Sequence, residues 1–242
     1  MDFYKGLSPY YDEMTNFEKR LQSEQEIYKT VFQKFPAKKI LDAGCGSGFL
    51  SILLSQHGFE LTGCDNSKEM LALARKNAKR YSVSPRFIFS DFLSVSKVVD
   101  DHFDAVFCIG NSFVHLLTAD DQNKALENFY RLLVPGGYLF LQILNYDQIL
   151  RDRPNIFSVK NMTDKKITRA YRFNQRTIQF IITINYTDRE EQFITELYPL
   201  KSGELRSLLR KTGFDRIQIY GNLNFNRYYK NRSENICVFC YK

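Results

Sequence analysis

The chain has 242 residues, of which 44% are hydrophobic and 25% charged, with a formal net charge of +7. That apolar content supports a sizeable core, and no run of about 18 apolar residues is present to form a membrane span. Five cysteines without framework spacing, behind an N-terminus lacking an apolar signal region, predict reduced thiols in a cytoplasmic protein.

Residues 1–20 are rich in aromatics, with Tyr10 and Tyr11 following Ser8-Pro9. They show neither helix nor strand period and read as a lid. Leu21, Ile27, Val31 and Phe35 carry helical spacing that Pro36 ends. Lys39–Ala43 is the first strand. It runs into Asp42 and three glycines at alternate positions, Gly44, Gly46 and Gly48, before an apolar helix opens at Phe49. A strand, a glycine turn and a helix N-terminus form a nucleotide-binding corner. The third glycine comes one position too early for a dinucleotide fingerprint, and no Gly-Lys-Ser/Thr follows to make a phosphate loop.

Glu60–Asp65 is the second strand, and Asp65 stands where an acid accepts hydrogen bonds from ribose hydroxyls. Asn66-Ser67-Lys68-Glu69 opens the next helix with cap chemistry. Met70, just inside that helix, is expected against an adenine face. Arg86–Asp91 is the third strand, and Asp91 with the Phe92 amide suits an adenine edge. Three strands thus end in acids at one sheet edge, where ligands of parallel sheets bind. Phe103–Ile109 is a buried fourth strand leading into Gly110-Asn111-Ser112-Phe113-Val114-His115. A helix over 119–133, a Pro135-Gly136-Gly137 turn and a fifth strand over Tyr138–Leu144 follow. His115 reads first as a packing or capping residue.

Beyond Leu150 the pattern changes. Residues 156–199 alternate as antiparallel strands, with turns at Asn174-Gln175 and Asp188-Arg189. Ser202–Lys211 is a last helix with Gly213 beyond it, and Asp215–Tyr220 and Asn235–Tyr241 are closing strands. Cys237 and Cys240 lie three apart on the last one, on opposite faces, which makes a poor metal knuckle. No metal is expected. Residues 151–242 carry 18 Lys/Arg against 9 Asp/Glu. Such scattered charge reads as a solvated surface, or as a face for an acidic substrate, RNA or a membrane surface.

Leu41–Leu50, Asp65, Asp91, the strand ending at Gly110-Asn111 and the Pro135-Gly136-Gly137 turn together resemble the class I S-adenosylmethionine (SAM) dependent methyltransferases. The likeness spans about residues 36–145. Gly110–Leu116 and Asn145–Leu150 further resemble glycine N-methyltransferase and related bacterial small-molecule enzymes. That family's fifth strand ends Asp-His-Arg-Asn-Tyr-Asp; here it ends Gln142-Ile143-Leu144-Asn145-Tyr146-Asp147. The basic pair before Asn145 is missing, so glycine does not carry over as the acceptor.

The resemblance implies an α/β, Rossmann-like, doubly wound seven-stranded sheet with an inserted antiparallel meander. It implies one methyltransferase domain over 1–242: an N-terminal lid and helix (1–35), a SAM-binding core (36–150), the inserted sheet (151–200), and the last helix and hairpin (201–242). SAM would be the cofactor, S-adenosylhomocysteine the product and a small molecule the acceptor, with an amine or amino-acid nitrogen first in line. Cofactor-binding residues would be Tyr11, Asp42, Gly44, Cys45, Gly46, Gly48, Asp65, Asn66, Met70, Asp91, Phe92, Ile109 and Gly110. Asn111, Asn145, Tyr11 and Tyr198 would face the acceptor beneath a roof formed by the meander. The alternatives are an RNA or tRNA methyltransferase using the basic third, and a SAM-binding protein without turnover.

Overall fold

A computed structural model describes residues 3–242. In chain order its elements are α1 (Phe3–Thr15), α2 (Phe17–Ser23), α3 (Gln25–Lys34), β1 (Lys39–Ala43), α4 (Phe49–Gln56), β2 (Glu60–Asp65), α5 (Lys68–Arg80), β3 (Arg86–Phe89), α6 (Val95–Val98) and β4 (Phe103–Cys108). A 3-10 turn at Ser112–His115 precedes α7 (Ala119–Leu132), β5 (Leu133–Leu144) and α8 (Tyr146–Asp152). Then come β6 (Ile156–Asn161), β7 (Lys166–Phe173), β8 (Ile178–Asn185), β9 (Glu190–Leu197), α9 (Ser202–Thr212), β10 (Asp215–Tyr220) and β11 (Asn235–Tyr241).

Seven strands form one sheet in the order β10-β11-β5-β4-β1-β2-β3. All its pairings are parallel except those of β11 with β5 and with β10. Alternation along each strand sends its side chains to two cores. Leu41, Val106, Leu139, Leu141 and Val238 pack with α7 and α9 on one face. Ile40, Phe107, Phe140 and Phe239 pack with α2, α3 and α4 on the other. There Phe239 stacks between Phe35, at 4.0 Å, and Phe140, at 4.3 Å. Cys237 and Cys240 fall in opposite cores, as their spacing requires.

The second sheet is an antiparallel meander, β6-β7-β8-β9, running between β5 and α9. It has one strand more than the alternation marked. Its inner face packs on α1 through Ile167, Ile182, Ile184 and Phe193 against Leu7 and Met14.

Three local expectations are corrected. The aromatic lid is a regular helix, α1, despite Pro9. The Ser8 hydroxyl donates to the Lys5 carbonyl at 3.2 Å, which Pro9 leaves without its helical donor. The helix expected after residue 20 is two helices, α2 and α3, meeting at Glu24. Finally, Pro135-Gly136-Gly137 lies inside β5 as a register irregularity rather than a separate turn, with Gly136 at φ 78°. No described helix is long and apolar enough to cross a membrane.

Candidate active site

The carboxyl ends of β1, β2 and β4 open at one edge of the large sheet, and the chain between Ala43 and Phe49 crosses that edge in a tight turn. Gly44 has φ 76°, and a Cβ there would meet the Ser112 Cβ at 2.9 Å, so the turn excludes any side chain. Asp65 locks the turn in place. Its Oδ2 accepts from the Gly46 amide at 2.8 Å, and its Oδ1 accepts from the Ser67 amide at 2.9 Å. Ser67, not Asn66, is the N-cap of α5, its hydroxyl accepting from the Met70 amide.

Over this turn lies a cavity of about 510 Å³, lined by Gly44, Gly46, Asp65, Asn66, Asp91 and Phe92 from the sheet edge. Its far walls are Tyr4 and Tyr11 of α1, His115, and Ile194 and Thr195 of β9. The Asp91 carboxylate accepts from the Ser94 amide at 2.8 Å and so holds the loop after β3.

Beneath the turn is a recess of about 60 Å³ between Tyr11, Arg20, Asp42, Cys45, Ile109 and Gly110. Asp42 is buried and accepts from the Ser51 amide and hydroxyl at 3.1 and 2.7 Å. Burial outweighs those bonds and lifts its pKa to about 7. Arg20 lies 3.8 Å above the Phe49 ring and donates through Nε to Glu24 at 2.7 Å. Burial lowers the guanidinium pKa, but the Glu24 carboxylate reverses that.

A third cavity, of about 240 Å³, lies between α1, the end of β5 and the inner face of the meander. Tyr4, Tyr11 and His115 line it as well as the large cavity, so the two meet along those side chains. His115 Nε2 is 2.9 Å from the Tyr4 hydroxyl, and burial pulls its pKa down to about 4, leaving a neutral imidazole. Burial likewise raises the Tyr11 phenol to about 12.

The structure gathers most of the sequence-derived residues around these spaces and leaves four outside. Gly48 caps α4 with φ 84° and packs on Ala74 and Phe87. Met70 is buried and lines none of the three cavities, its Cε 3.5 Å from where a Gly46 Cβ would be. Asn145 lines none of the three cavities. Its amide donates to the Lys230 and Ser233 carbonyls and its oxygen accepts from the Tyr228 hydroxyl, all within 2.9 Å. The Tyr198 hydroxyl turns away to Glu204 at 2.6 Å. Both residues were expected at the acceptor, and both are instead bonded to the chain's C-terminal part. Asn111 does line the third cavity, but its side chain is largely engaged, donating to Tyr146 at 2.9 Å and accepting from the Leu144 amide at 3.0 Å.

Arg20, Ser112, Thr195 and Arg169 line these spaces without having been singled out for them, while Tyr171 is one of the meander's aromatics expected to roof the acceptor. Arg20 sits in an ordinary helical sequence, and only its i,i+4 spacing to Glu24 marks it. His115, expected to pack or cap, stands where the two larger cavities meet.

A family model described as a methyltransferase domain matches residues 40–137. The glycine/sarcosine N-methyltransferase of Aphanothece halophytica is 32% identical over 91% of this chain and 83% of its own length. Among solved structures, an S-adenosylmethionine-dependent methyltransferase from Clostridium acetobutylicum superimposes with a TM-score of 0.81 at 17% identity, covering 98% of both chains. SAM-bound CalS10, an amino pentose methyltransferase from Micromonospora echinaspora, gives a TM-score of 0.72 at 17% identity over 94% of this chain and 96% of its own.

Proposed function

Given that the chain belongs to the S-adenosylmethionine-dependent methyltransferases, in the family that includes the glycine/sarcosine N-methyltransferases, we propose that its acceptor is a small amine bound in the 240 Å³ cavity under the meander. One observation carries this reading: that cavity meets the larger one at Tyr4, Tyr11 and His115. A donor in the large cavity and an acceptor in the smaller one would therefore face each other there. The space is too small for a folded RNA, which weighs against the basic third as a nucleic-acid face. The glycine/sarcosine specificity of the relative supports a nitrogen acceptor.

The residues present suit the cofactor. Where a Cβ at Gly44 would collide with Ser112, only a bare backbone lets a ligand pass close. Asp65, fixed by two amides, presents carboxylate oxygen to the large cavity, as ribose hydroxyls require. Asn66, Asp91 and Phe92 would hold the base, and Arg20 in the recess would take the cofactor's carboxylate. Cys45, Ile109 and Gly110 would enclose that end.

SAM supplies a methyl group already activated on a sulfonium, so no protein nucleophile is required. What remains for this chain is alignment, and orientation alone lowers such barriers by roughly 7–11 kcal/mol. An amine attacks only when unprotonated. Among the described residues, no carboxylate lines the acceptor cavity and one guanidinium does. A desolvated amine beside a cation loses its proton more readily. His115, kept neutral, adds no opposing charge and can accept a hydrogen bond from the amine.

A panel of amino acids, simple amines, phenols, thiols and tRNA, each incubated with labelled SAM, tests this reading. Methylated amine products are expected. Methylation of phenols, thiols or tRNA with amines untouched would overturn it.

A further inference from the structure

Among the described residues, the acceptor cavity has largely apolar walls and one charged side chain. Leu144, Phe180, Ile182 and Leu197 make up much of the wall, and Arg169 of β7 reaches into it. Arg169 and Tyr171 are two apart on one strand and so share its inner face. The Arg169 guanidinium donates from Nη2 to the Met14 carbonyl at 2.9 Å and, among the described residues, pairs with no carboxylate. Its other N–H groups have no protein acceptor there, and burial pulls its pKa down. The Tyr171 hydroxyl is buried with no hydrogen-bond partner among the described residues. A cation and an unpartnered hydroxyl facing one apolar space are a combination that a protein keeps only if something completes it.

We propose that Arg169 and Tyr171 form the anchor for a carboxylate on the acceptor, and that the acceptor is an amino acid with an apolar body. This rests on the amine reading above and names the class of amine. The planar guanidinium fork matches a carboxylate with two parallel bonds, and the phenol adds a third donor. One guanidinium balances the single charge of a carboxylate, whereas a phosphate dianion would keep an uncompensated charge against the surrounding apolar walls. Leu144 stands at the end of β5 and lines the cavity, whereas Arg169 reaches it from β7, so the anchor comes from the roof and not from the floor. With aliphatic and aromatic walls and about 240 Å³ of space, the cavity suits an acceptor bulkier than glycine.

The test uses the full chain loaded with S-adenosylhomocysteine, and propionate and propylamine as probes. Propionate is expected to raise the melting temperature and propylamine to leave it unchanged. Arg169→Gln should abolish the propionate shift, and Tyr171→Phe should weaken propionate binding several-fold, while both keep the shift caused by S-adenosylhomocysteine. If Arg169→Gln fails to fold, Arg169→Lys replaces it. That variant keeps the charge and a donor for the Met14 carbonyl but not the fork, and should weaken propionate about tenfold.

A propionate shift that survives in the Arg169 variant, or that is absent from the wild type, overturns the anchor. In turnover, branched-chain amino acids should exceed both glycine and their own decarboxylated amines by at least about tenfold in kcat/KM, chiefly through KM. Arg169→Gln should erase the preference over the amines. A preference for the decarboxylated amines would end this proposal and leave the amine reading standing. If no amine is methylated, the amine reading fails, and the propionate arm still decides whether Arg169 holds a carboxylate.

Discussion

The sheet-edge half of the site and the roof half are built in opposite ways. At the edge, each acid is tied to main chain close by: Asp65 to Gly46 and Ser67, Asp42 to Ser51, and Asp91 to Ser94. Under the roof, the contacts join distant segments through side chains. Tyr10 donates to Glu191 at 2.9 Å, Lys160 donates to Asn16 at 2.5 Å, and Arg169 donates to Met14. The first half is set as soon as three neighbouring strands pair. The second depends on α1 lying against the meander. One fold thus joins a locally braced sheet edge to a roof held by long-range side-chain contacts.

Removing one half is the largest perturbation. Deleting residues 1–14 removes most of α1 and its share of both cavities. It should cost on the order of a hundredfold or more in turnover, because proximity and water exclusion go together. Circular dichroism should keep the signature of the large sheet. Full activity in the truncated protein would erase the distinction between the halves.

Within the sheet-edge half, Asp65→Ala should lose roughly 2–4 kcal/mol of SAM affinity by calorimetry. It also strips two amides of their acceptor, so the melting temperature should fall with it. A variant with normal affinity would mean that the carboxylate only braces the turn.

The halves also titrate in opposite directions. Burial raises Asp42 from 3.8 to about 7, so between pH 4 and 7 the folded chain holds a proton the unfolded chain has released, and stability falls as pH rises. Burial lowers His115 from 6.5 to about 4, so over that window the unfolded chain takes a proton the folded one refuses, and stability falls as pH drops. The two slopes oppose each other. His115→Gln should leave the Asp42 slope alone, with unfolding free energy dropping by up to about 3 kcal/mol from pH 4 to pH 7. Urea titrations of the variant that show no such slope would remove the raised Asp42.

The smallest effects concern residues the structure takes out of the acceptor site. Asn145→Ala should cost about 2 kcal/mol of stability, since it removes a buried side chain that makes three hydrogen bonds. Tyr198→Phe should cost less than about 1 kcal/mol. Neither should change the acceptor KM, and a raised KM in either would return that residue to the acceptor seat.

This contrast also explains what could be read from the chain alone. The strand-end acids and the glycine turn were legible because each is marked by residues a few positions apart, whereas the seven-stranded sheet was implied by the family resemblance. Asn145 was misplaced because the end of a strand does not say which way its side chain turns. Here the loop at Lys230–Ser233 arrives from far along the chain to take it. Arg169 stood unmarked in Ile167-Thr-Arg-Ala-Tyr-Arg-Phe173, because alternation separates two faces without naming the inner one. Arg172, one step out of phase, is on the exposed face. The helical nature of α1 was hidden by Gly6 and Pro9, and packing of Leu7 and Met14 against the meander overrides both.

The position of β11 has a consequence for how the chain is made. Its residues pair with β5 on one side and β10 on the other, so the strand nearest the carboxyl end is interior to the sheet. The whole meander and α9 are synthesised between β5 and β11. During that interval β5 offers an open edge, and the parts of both cores that α9 and β11 supply are missing. Pairing across such a sequence separation is slow, and an unpaired edge invites association with other chains. The sheet closes only when its final strand arrives, so losing the last few residues would open the middle of the sheet and not merely shorten its rim.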